Sequence, residues 1–354
     1  MNDLVNAKQQ DSMAAWYAVF VLLLAYVLSF VDRIILSLLV TPIKADLGTT
    51  DAQMGLLMGF AFAIFYTVAG IPIAKYSDVK SRRMIIAIGV FLWSIMTAVC
   101  GLARSFFQLF LARVGVGVGE AALTPAAYSM ISDYFSEDKL GRAMAVYKSG
   151  AMFGGGLAFI IGGAVVGYVV NSDSIILPIL GEMKPWQMAF IIVGLPGVLI
   201  GLLMLTVKEP TRTGIADTLD EKVSISDAIK YMQKRWRIYL FIFLGFAFMG
   251  APISSALTWI PVYLQRIHEM SIPESGRTLG IIIFFLSTSG VILSGWLIDT
   301  FKKKGFKDGY FKVALMICIV TIPISYFVMN DESLDKTLWW LHPFVFVASM
   351  PLAI

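Results

Sequence analysis

The sequence contains little charge and almost no cysteine. Charged residues make up 15% of its 354 positions and hydrophobic residues 58%, whereas soluble proteins average about 25% charged residues. A soluble fold could not cover so much apolar surface, but a lipid bilayer solvates it directly. The two cysteines, Cys100 and Cys318, lie in apolar stretches, which argues against a disulfide framework. The two histidines, His268 and His342, stand alone, so we expect no metal site and no cofactor.

Long hydrophobic runs are abundant instead. A membrane-spanning helix needs about 20 mostly apolar residues. Ten candidate segments lie at 16–40, 53–74, 84–103, 105–130, 144–170, 186–207, 238–264, 278–298, 311–329 and 338–354. The first is longer than a secretory signal core of roughly 7–15 residues, so we expect it to be a retained helix. The tenth has no polar flank, and we expect the natural chain to continue beyond Ile354.

Positive charge is divided unequally between the two sides of these segments. Of the 28 lysines and arginines, 19 fall on the side of the N-terminus, six fall on the opposite side and three lie within segments. The N-terminal side is called the basic side below. Because cytoplasmic loops carry the excess of Lys and Arg, the N-terminus is predicted to be cytoplasmic. We expect a multi-pass protein of a bacterial inner membrane.

The longest polar stretch divides the chain. We predict a six-helix bundle over 1–207, a cytoplasmic linker over 208–237, and an incomplete second bundle over 238–354. The second and eighth segments also look like copies of each other. At an offset of 221 positions they share three residue pairs: Gly55 and Gly276, Gly59 and Gly280, and Asp78 and Asp299. Two like-oriented bundles imply an axis along the membrane normal, as in transporters with parallel repeats.

Five charged residues fall inside hydrophobic segments, where charge is costly and by default marks a pathway or a proton relay. They are Asp32, Arg33, Arg113, Glu120 and Lys148. At 1.5 Å per residue, Asp32 and Arg113 both lie about 12 Å from the opposite side, which permits an ion pair between them. Glu120 lies about 10 Å further in. A static pair that only fixes helix packing is the alternative. We expect Lys148 to extend its side chain to the basic interface.

Three stretches resemble signatures of the major facilitator superfamily. Ala74-x-x-x-Asp78-x-x-x-Arg82-Arg83 resembles the loop signature between helices two and three, and Gly295-x-x-x-Asp299 resembles its later copy. Leu109-x-x-x-Arg113-x-x-x-Gly117-x-Gly119 resembles the fourth-helix signature. The resemblance implies an all-α integral membrane protein with the major facilitator fold, which consists of two pseudo-symmetric six-helix halves. The chain would end in the tenth helix of this fold. The chain departs from the signatures at three positions: Ala74, Val79 and Val116.

The resemblance also implies a conformational latch at the basic ends of the helices. Its members would be Asp78, Arg82, Arg83 and Asp299. In the family, the carboxylate at the position of Asp78 joins the two halves by charge-assisted hydrogen bonds to a helix start and a nearby Arg. A solvated surface carboxylate is the alternative for Asp78.

Further residues resemble the Spinster-like branch, which is associated with lysophospholipids and sphingoid-type lipids. They are Asp32-Arg33, Glu120 in the run from Gly117 to Ala122, Trp186 through Phe190, and Lys208-Glu209-Pro210. Organic-anion symporters share the Asp-Arg pair and the Gly-Glu-Ala run, so a hexuronate-like acid is the alternative substrate. Drug/proton antiporters usually carry a Gly-Pro in helix five. They are disfavoured because no proline occurs between Pro125 and Pro178.

We therefore predict a secondary active transporter that works by alternating access and is not an enzyme. Arg33, Arg113 and Glu120 would bind the substrate, since guanidinium groups hold phosphate or carboxylate well. Asp32 and Glu120 would form a proton-responsive pair coupled through Arg113. Expected partners are an amphiphilic lipid or organic anion, protons and membrane lipid, with no nucleic acid and a monomeric state. A membrane sensor on the same fold is the alternative from another class.

Overall fold

A computed structural model describes residues 11–170, 175–177, 181–212, 225–306, 309–331 and 333–350. Almost all of these residues are helical. The helices are α1 Met13–Leu38, α2 Val40–Leu47, α3 Asp51–Ser77, α4 Arg82–Cys100, α5 Phe106–Glu120, α6 Leu123–Tyr134, α7 Glu137–Val170, α8 Pro185–Thr206, α9 Ile225–Lys234, α10 Trp236–Ile267, α11 Ile272–Lys303, α12 Gly309–Asn330 and α13 Leu334–Ser349. Strands β1 Ile175–Leu177 and β2 Gly181–Met183 pair antiparallel between α7 and α8.

Within the described residues, nine helices are long and apolar enough to cross a membrane. They correspond to the first nine predicted segments, and α5 and α6 together form one of them over Phe106–Tyr134. The tenth predicted segment is represented by α13, which has 16 residues, and positions 351–354 lie outside the described residues. The predicted linker is described at 208–212 and again from 225, where α9 begins.

Short polar residues begin several of these helices. The side chain of a residue before the first turn accepts a backbone N–H that has no partner within the helix. Ser12, Ser81 and Ser105 do this for Ala15, Met84 and Gln108. Thr50 and Gln53 form a complete capping box at the start of α3. These caps fix the residue at which each apolar helix begins, which apolar composition alone does not define.

The described chain forms two compact units. The first extends to Thr211 and also includes Pro261–Thr288, whereas the second contains Arg212–Ile260 and Ser289–Ile354. In the first unit, α1 packs mainly on α7, α4 on α8 and α5, and α3 on α5. In the second unit, α12 packs on α13. The core of the second unit consists of Ile298, Val313, Ile317, Val347 and Met350. The predicted division into bundles 1–207 and 238–354 stays a prediction.

The end of α10 belongs to the first unit and lies on the side opposite the N-terminus. Arg266 donates to both carboxylate oxygens of Asp51, at 3.0 and 2.9 Å, and Lys44 donates to Oδ1 at 2.6 Å. The start of α11 lies against α7, where a Cβ at Gly163 would lie 3.1 Å from the Cα of Gly276. An ion cluster and a close helix contact therefore both hold this side of the unit.

One turn of α3 is a π-helix. It spans Leu56–Phe60, between α-helical stretches at Asp51–Gly55 and Ala61–Ser77. A π turn bonds residue i to i+5, so it accommodates an extra residue, and such turns occur frequently at functional sites. Phe62 is the second residue after this turn and is 8% exposed.

Candidate transport site

Glycines embed α5 between its neighbours. A Cβ at Gly117 would lie 2.7 Å from the carbonyl oxygen of Phe62 on α3, and one at Gly119 would lie 2.7 Å from the amide of Trp93 on α4. Neither position tolerates a side chain without a shift of the backbone, so small residues set the helix spacing. The close approach buries the polar residues of α5, and Arg113 and Glu120 are each 1% exposed.

Arg33 of α1 forms the central ion pair of the site with Glu120 of α5. Its Nε lies 2.7 Å and its Nη2 2.5 Å from Oε2 of Glu120. The Arg33 side chain is 31% exposed, whereas that of Glu120 is 1% exposed. Three rings surround the guanidinium: its Cζ lies 5.5 Å from the centroid of Phe30, 4.6 Å from Phe62 and 5.5 Å from Tyr66. Arg33 therefore presents a partly open cation above an aromatic surface.

Asp32 and Arg113 are in contact, but not through the side-chain ion pair that was expected. Arg113 Nη1 donates to the backbone carbonyl of Asp32 at 3.1 Å. The Asp32 side chain is fully buried, and neither of its carboxylate oxygens has a hydrogen-bond partner among the described residues. The guanidinium of Arg113 also lies 5.8 Å from the ring centroid of Phe62. In this structure the side-chain ion pair inferred from equal depth is wrong.

Helix direction explains both pairings. Side chains on an α-helix lean toward its N-terminus, and α1 and α5 run in opposite directions across the membrane. Arg33 therefore leans toward the basic side while Glu120 leans away from it, which closes the depth difference between them. The Cα atoms of Asp32 and Arg113 lie at equal depth, but their side chains lean in opposite directions and pass each other. The guanidinium of Arg113 then meets the carbonyl of Asp32, because carbonyls of α1 point toward its C-terminus.

The residues predicted to form a latch differ in their surroundings where the structure describes them. Asp78 is the C-cap of α3 and is exposed, while the side chain of Asp299 lies outside the described residues. Arg82 is fully buried. It donates to the carboxylates of Glu209 and Asp133, to the hydroxyl and carbonyl of Ser129, and to the carbonyl of Pro210. The latch role of Asp78, Arg82, Arg83 and Asp299 stays a prediction.

Glu209 caps α4 from the segment that follows α8. It accepts the Ser81 hydroxyl at 2.8 Å, the Arg82 amide at 3.2 Å and the Arg83 amide at 2.8 Å. A carboxylate at a helix N-terminus satisfies free amides and the positive end of the helix dipole. Sequence reasoning did not find this role of Glu209 or that of Asp133. The available signal was a carboxylate directly after a hydrophobic segment, on the same side as Arg82.

The charge state of Glu209 should affect stability. Burial alone raises the pKa of its carboxyl, but hydrogen bonds from the Arg83 amide, Ser81 and Arg82 outweigh burial, so the pKa lies below the ordinary value of 4.5. A depressed folded pKa adds stability that is complete above about pH 4.5 and is lost as the pH falls through the folded pKa. Glu209→Gln is expected to lower thermal stability at neutral pH and to reduce its dependence on acidification.

Thermal unfolding of the purified protein in detergent micelles at about pH 7 and about pH 4 would measure this effect. Glu182→Gln is a matched control, since Glu182 is exposed in β2. Equal acid sensitivity in the parent and Glu209→Gln would contradict the assigned role of the carboxylate.

The fold and its buried charges define the class of protein: a multi-pass, all-α integral membrane protein of the transporter type. The chain belongs to the Major Facilitator Superfamily, whose family model matches residues 22–354. The predicted fold class is confirmed. The structure is similar to that of a bacterial homologue of the human lysosomal transporter Spinster, crystallised in an inward-facing and unoccupied conformation. The TM-score is 0.81 at 30% identity, over 97% of this chain and 74% of that chain.

Relatives of established name fall into more than one substrate class. An MFS-type efflux pump of Mycolicibacterium smegmatis is 30% identical over 346 residues, covering 94% of this chain and 74% of the pump. A probable L-galactonate transporter of Escherichia coli is 25% identical over 81% of this chain and 62% of its own length. The sphingosine-1-phosphate transporter SPNS2 of Mus musculus is 28% identical over 70% of this chain and 43% of its own length. The predicted resemblance to the Spinster-like branch is confirmed, whereas the relatives leave the substrate open.

Proposed function

We propose that this chain is a secondary active transporter that moves an amphiphilic lipid with an anionic or zwitterionic head by alternating access. The observation that carries the proposal is the environment of Arg33. Its side chain is 31% exposed although its partner Glu120 is buried, so it can donate to a phosphate while remaining beside Phe30, Phe62 and Tyr66. A guanidinium recognises phosphate bidentately, and the neighbouring rings suit an apolar chain. Similarity to the sphingosine-1-phosphate transporter SPNS2 supports the same substrate class.

A small organic anion is the second candidate substrate. Similarity to a probable L-galactonate transporter favours it. The same guanidinium of Arg33 would hold a carboxylate as readily as a phosphate. The aromatic surroundings of Arg33 would then contact the sugar-acid carbons.

Proton coupling is the second part of the proposal. When a head group engages Arg33, Glu120 loses its counter-charge and takes up a proton more readily, because an opposite charge nearby favours the ionised carboxylate. Binding of substrate and of proton would then favour each other, and such linkage is reciprocal. Asp32, whose carboxylate lacks a hydrogen-bond partner, would be the other proton acceptor. Arg113 would hold the backbone of α1 at Asp32.

The orientation and assembly state belong to the same proposal. The basic side would face the cytoplasm of a bacterial inner membrane, so the Asp51–Arg266–Lys44 cluster would lie on the outer side. The protein would work as a monomer in membrane lipid, with no enzymatic activity and no nucleic-acid partner.

Transport by purified protein in proteoliposomes tests the proposal. The assay compares lysophosphatidylglycerol with D-glucuronate, with the pH gradient in either direction and without one, against protein-free liposomes. We expect protein-dependent movement of the lysolipid that increases with one gradient direction. Movement of glucuronate with neither movement nor competition by the lysolipid would establish the second candidate. Movement of neither would favour a membrane sensor.

A further inference from the structure

Lys148 is a cation in the first half of a membrane-spanning helix. It lies 11 residues after the first residue of α7, Glu137, which is about 16 Å along the helix. Its ammonium lies 5.8 Å from the ring centroid of Tyr128, and Tyr128 itself is six residues before the end of α6 at Tyr134. The ammonium therefore lies at the level of Tyr128, about 9 Å from the basic end of α6, and the expected extension to the interface stays a prediction.

No carboxylate pairs with Lys148 among the described residues. The hydrophobic segments of the first unit contain three cations, Arg33, Arg113 and Lys148, but only two carboxylates, Asp32 and Glu120. Arg33 is paired with Glu120, and Arg113 is held at Asp32. Lys148 thus has no ion pair among the described residues, and its ammonium lies over the ring of Tyr128. An unpaired charge at membrane depth is costly and marks a substrate or ion pathway.

Lys148 is exposed on the first unit, as Arg33 partly is. Aromatic rings connect the two cations. Tyr128 contacts Tyr147 edge-on at 5.6 Å, Tyr147 stacks on Tyr26 at 4.9 Å, Tyr26 contacts Phe30 at 5.3 Å, and the ring centroid of Phe30 lies 5.5 Å from Cζ of Arg33. The Tyr66 hydroxyl also reaches Thr124 of α6 at 3.4 Å. A continuous run of packed aromatic rings, in which Tyr147 is fully buried, therefore joins Lys148 to the site of Arg33.

We propose that Lys148 is a second anion-binding subsite, on the path of the substrate head group between the basic side and Arg33. The inference rests on the proposed function, because it requires a transported anion. Glu120 and Tyr128 are eight residues apart, about 12 Å along α5 and α6, so one phosphate or carboxylate cannot contact both cations at once. The head group is bound at Lys148 and then at Arg33. Phosphate and carboxylate are equally suited to an ammonium, which acts as a point charge.

Equilibrium binding to the full chain in nanodiscs tests the subsite with three probes: lysophosphatidylglycerol, D-glucuronate, and an uncharged monoacylglycerol as competitor. A hydrogen bond to a charged group is worth about 1.5–3 kcal/mol, so Lys148→Gln is expected to weaken binding of the anionic probe by about 10- to 100-fold. Lys148→Arg should restore most of that affinity. Lys230→Gln removes the same charge from a side chain that is 72% exposed on α9, and should change nothing.

The probes separate the subsite from the proposed lipid substrate. If glucuronate binds and lysophosphatidylglycerol does not, the lipid proposal fails, and a Lys148→Gln loss for glucuronate still supports the subsite. Unchanged affinity of Lys148→Gln for whichever anion binds the parent would overturn the subsite. An equal loss for monoacylglycerol would also overturn it, since shape rather than charge would then be responsible. Binding of neither anion to the parent would overturn both proposals.

Discussion

Glu120→Gln is expected to abolish the response of transport to a pH gradient while substrate binding largely persists. The amide keeps the shape of the carboxyl group and still accepts a hydrogen bond from Arg33, but it cannot take up a proton. Because Arg33 pairs with Glu120 in the structure, the variant resembles the protonated state permanently. Couplings between two sites are typically about 5- to 150-fold, so the flux ratio with and without the gradient should fall from roughly tenfold to near one.

Ligand affinity and gradient-driven flux, each measured at two pH values, report the two properties separately. Glu137→Gln is the control, since Glu137 is exposed in the first turn of α7. Asp32→Asn should reduce both flux and affinity, because it removes the buried carboxylate that is proposed as the other proton acceptor and that lies where Arg113 contacts α1. A Glu120→Gln protein whose flux still follows the gradient like the parent would reduce Glu120 to a structural hydrogen-bonding group.

Arg82→Met is expected to cause the largest loss of stability. Arg82 is fully buried and binds two carboxylates, Asp133 and Glu209. Asp133 has a side chain only 9% exposed, and methionine would leave it without its cation. Removing one partner of a buried pair costs about 3–5 kcal/mol because an uncompensated charge remains. Protein yield and unfolding temperature should both fall.

Denaturant unfolding in mild detergent measures this loss, with Arg83→Met as the matched control. Among the described residues, the guanidinium of Arg83 donates only to the carbonyls of Leu205 and Val207, at 3.4 and 3.2 Å. Its removal should cost about 1 kcal/mol or less. Comparable losses in the two variants would show that burial of Arg82 with its carboxylates contributes little.

Hydropathy was sufficient to predict the membrane spans, because each apolar run must be long enough to cross the bilayer. It also located the charges within the membrane-spanning helices, since Asp32, Arg33, Arg113 and Glu120 are conspicuous among apolar residues. Their partners could not be obtained the same way. Depth along a helix describes Cα positions, whereas the direction in which a side chain leans decides that Arg33, and not Arg113, reaches a carboxylate.

The cluster around Arg82 was beyond sequence reasoning for another reason. Its hydrogen bonds join Ser81 and Arg82 to Asp133 and Glu209, which lie about 50 and 127 positions further along the chain. Hydrophobic periodicity carries no information about such pairings. Only the packing of α4, α6 and the end of α8 brings these residues together.

Because α3 contains a π turn, identical residues at aligned positions do not guarantee identical side-chain directions at this site. A π turn holds one more residue than an α turn, and each residue advances a helix by about 100°. Phe62 and Tyr66 follow Leu56–Phe60, so their direction toward Arg33 includes that additional rotation. A relative with the same two aromatic residues but an uninterrupted helix would turn their rings away. Shared identity in an alignment column therefore transfers the aromatic surroundings of Arg33 only where the helix type is shared as well.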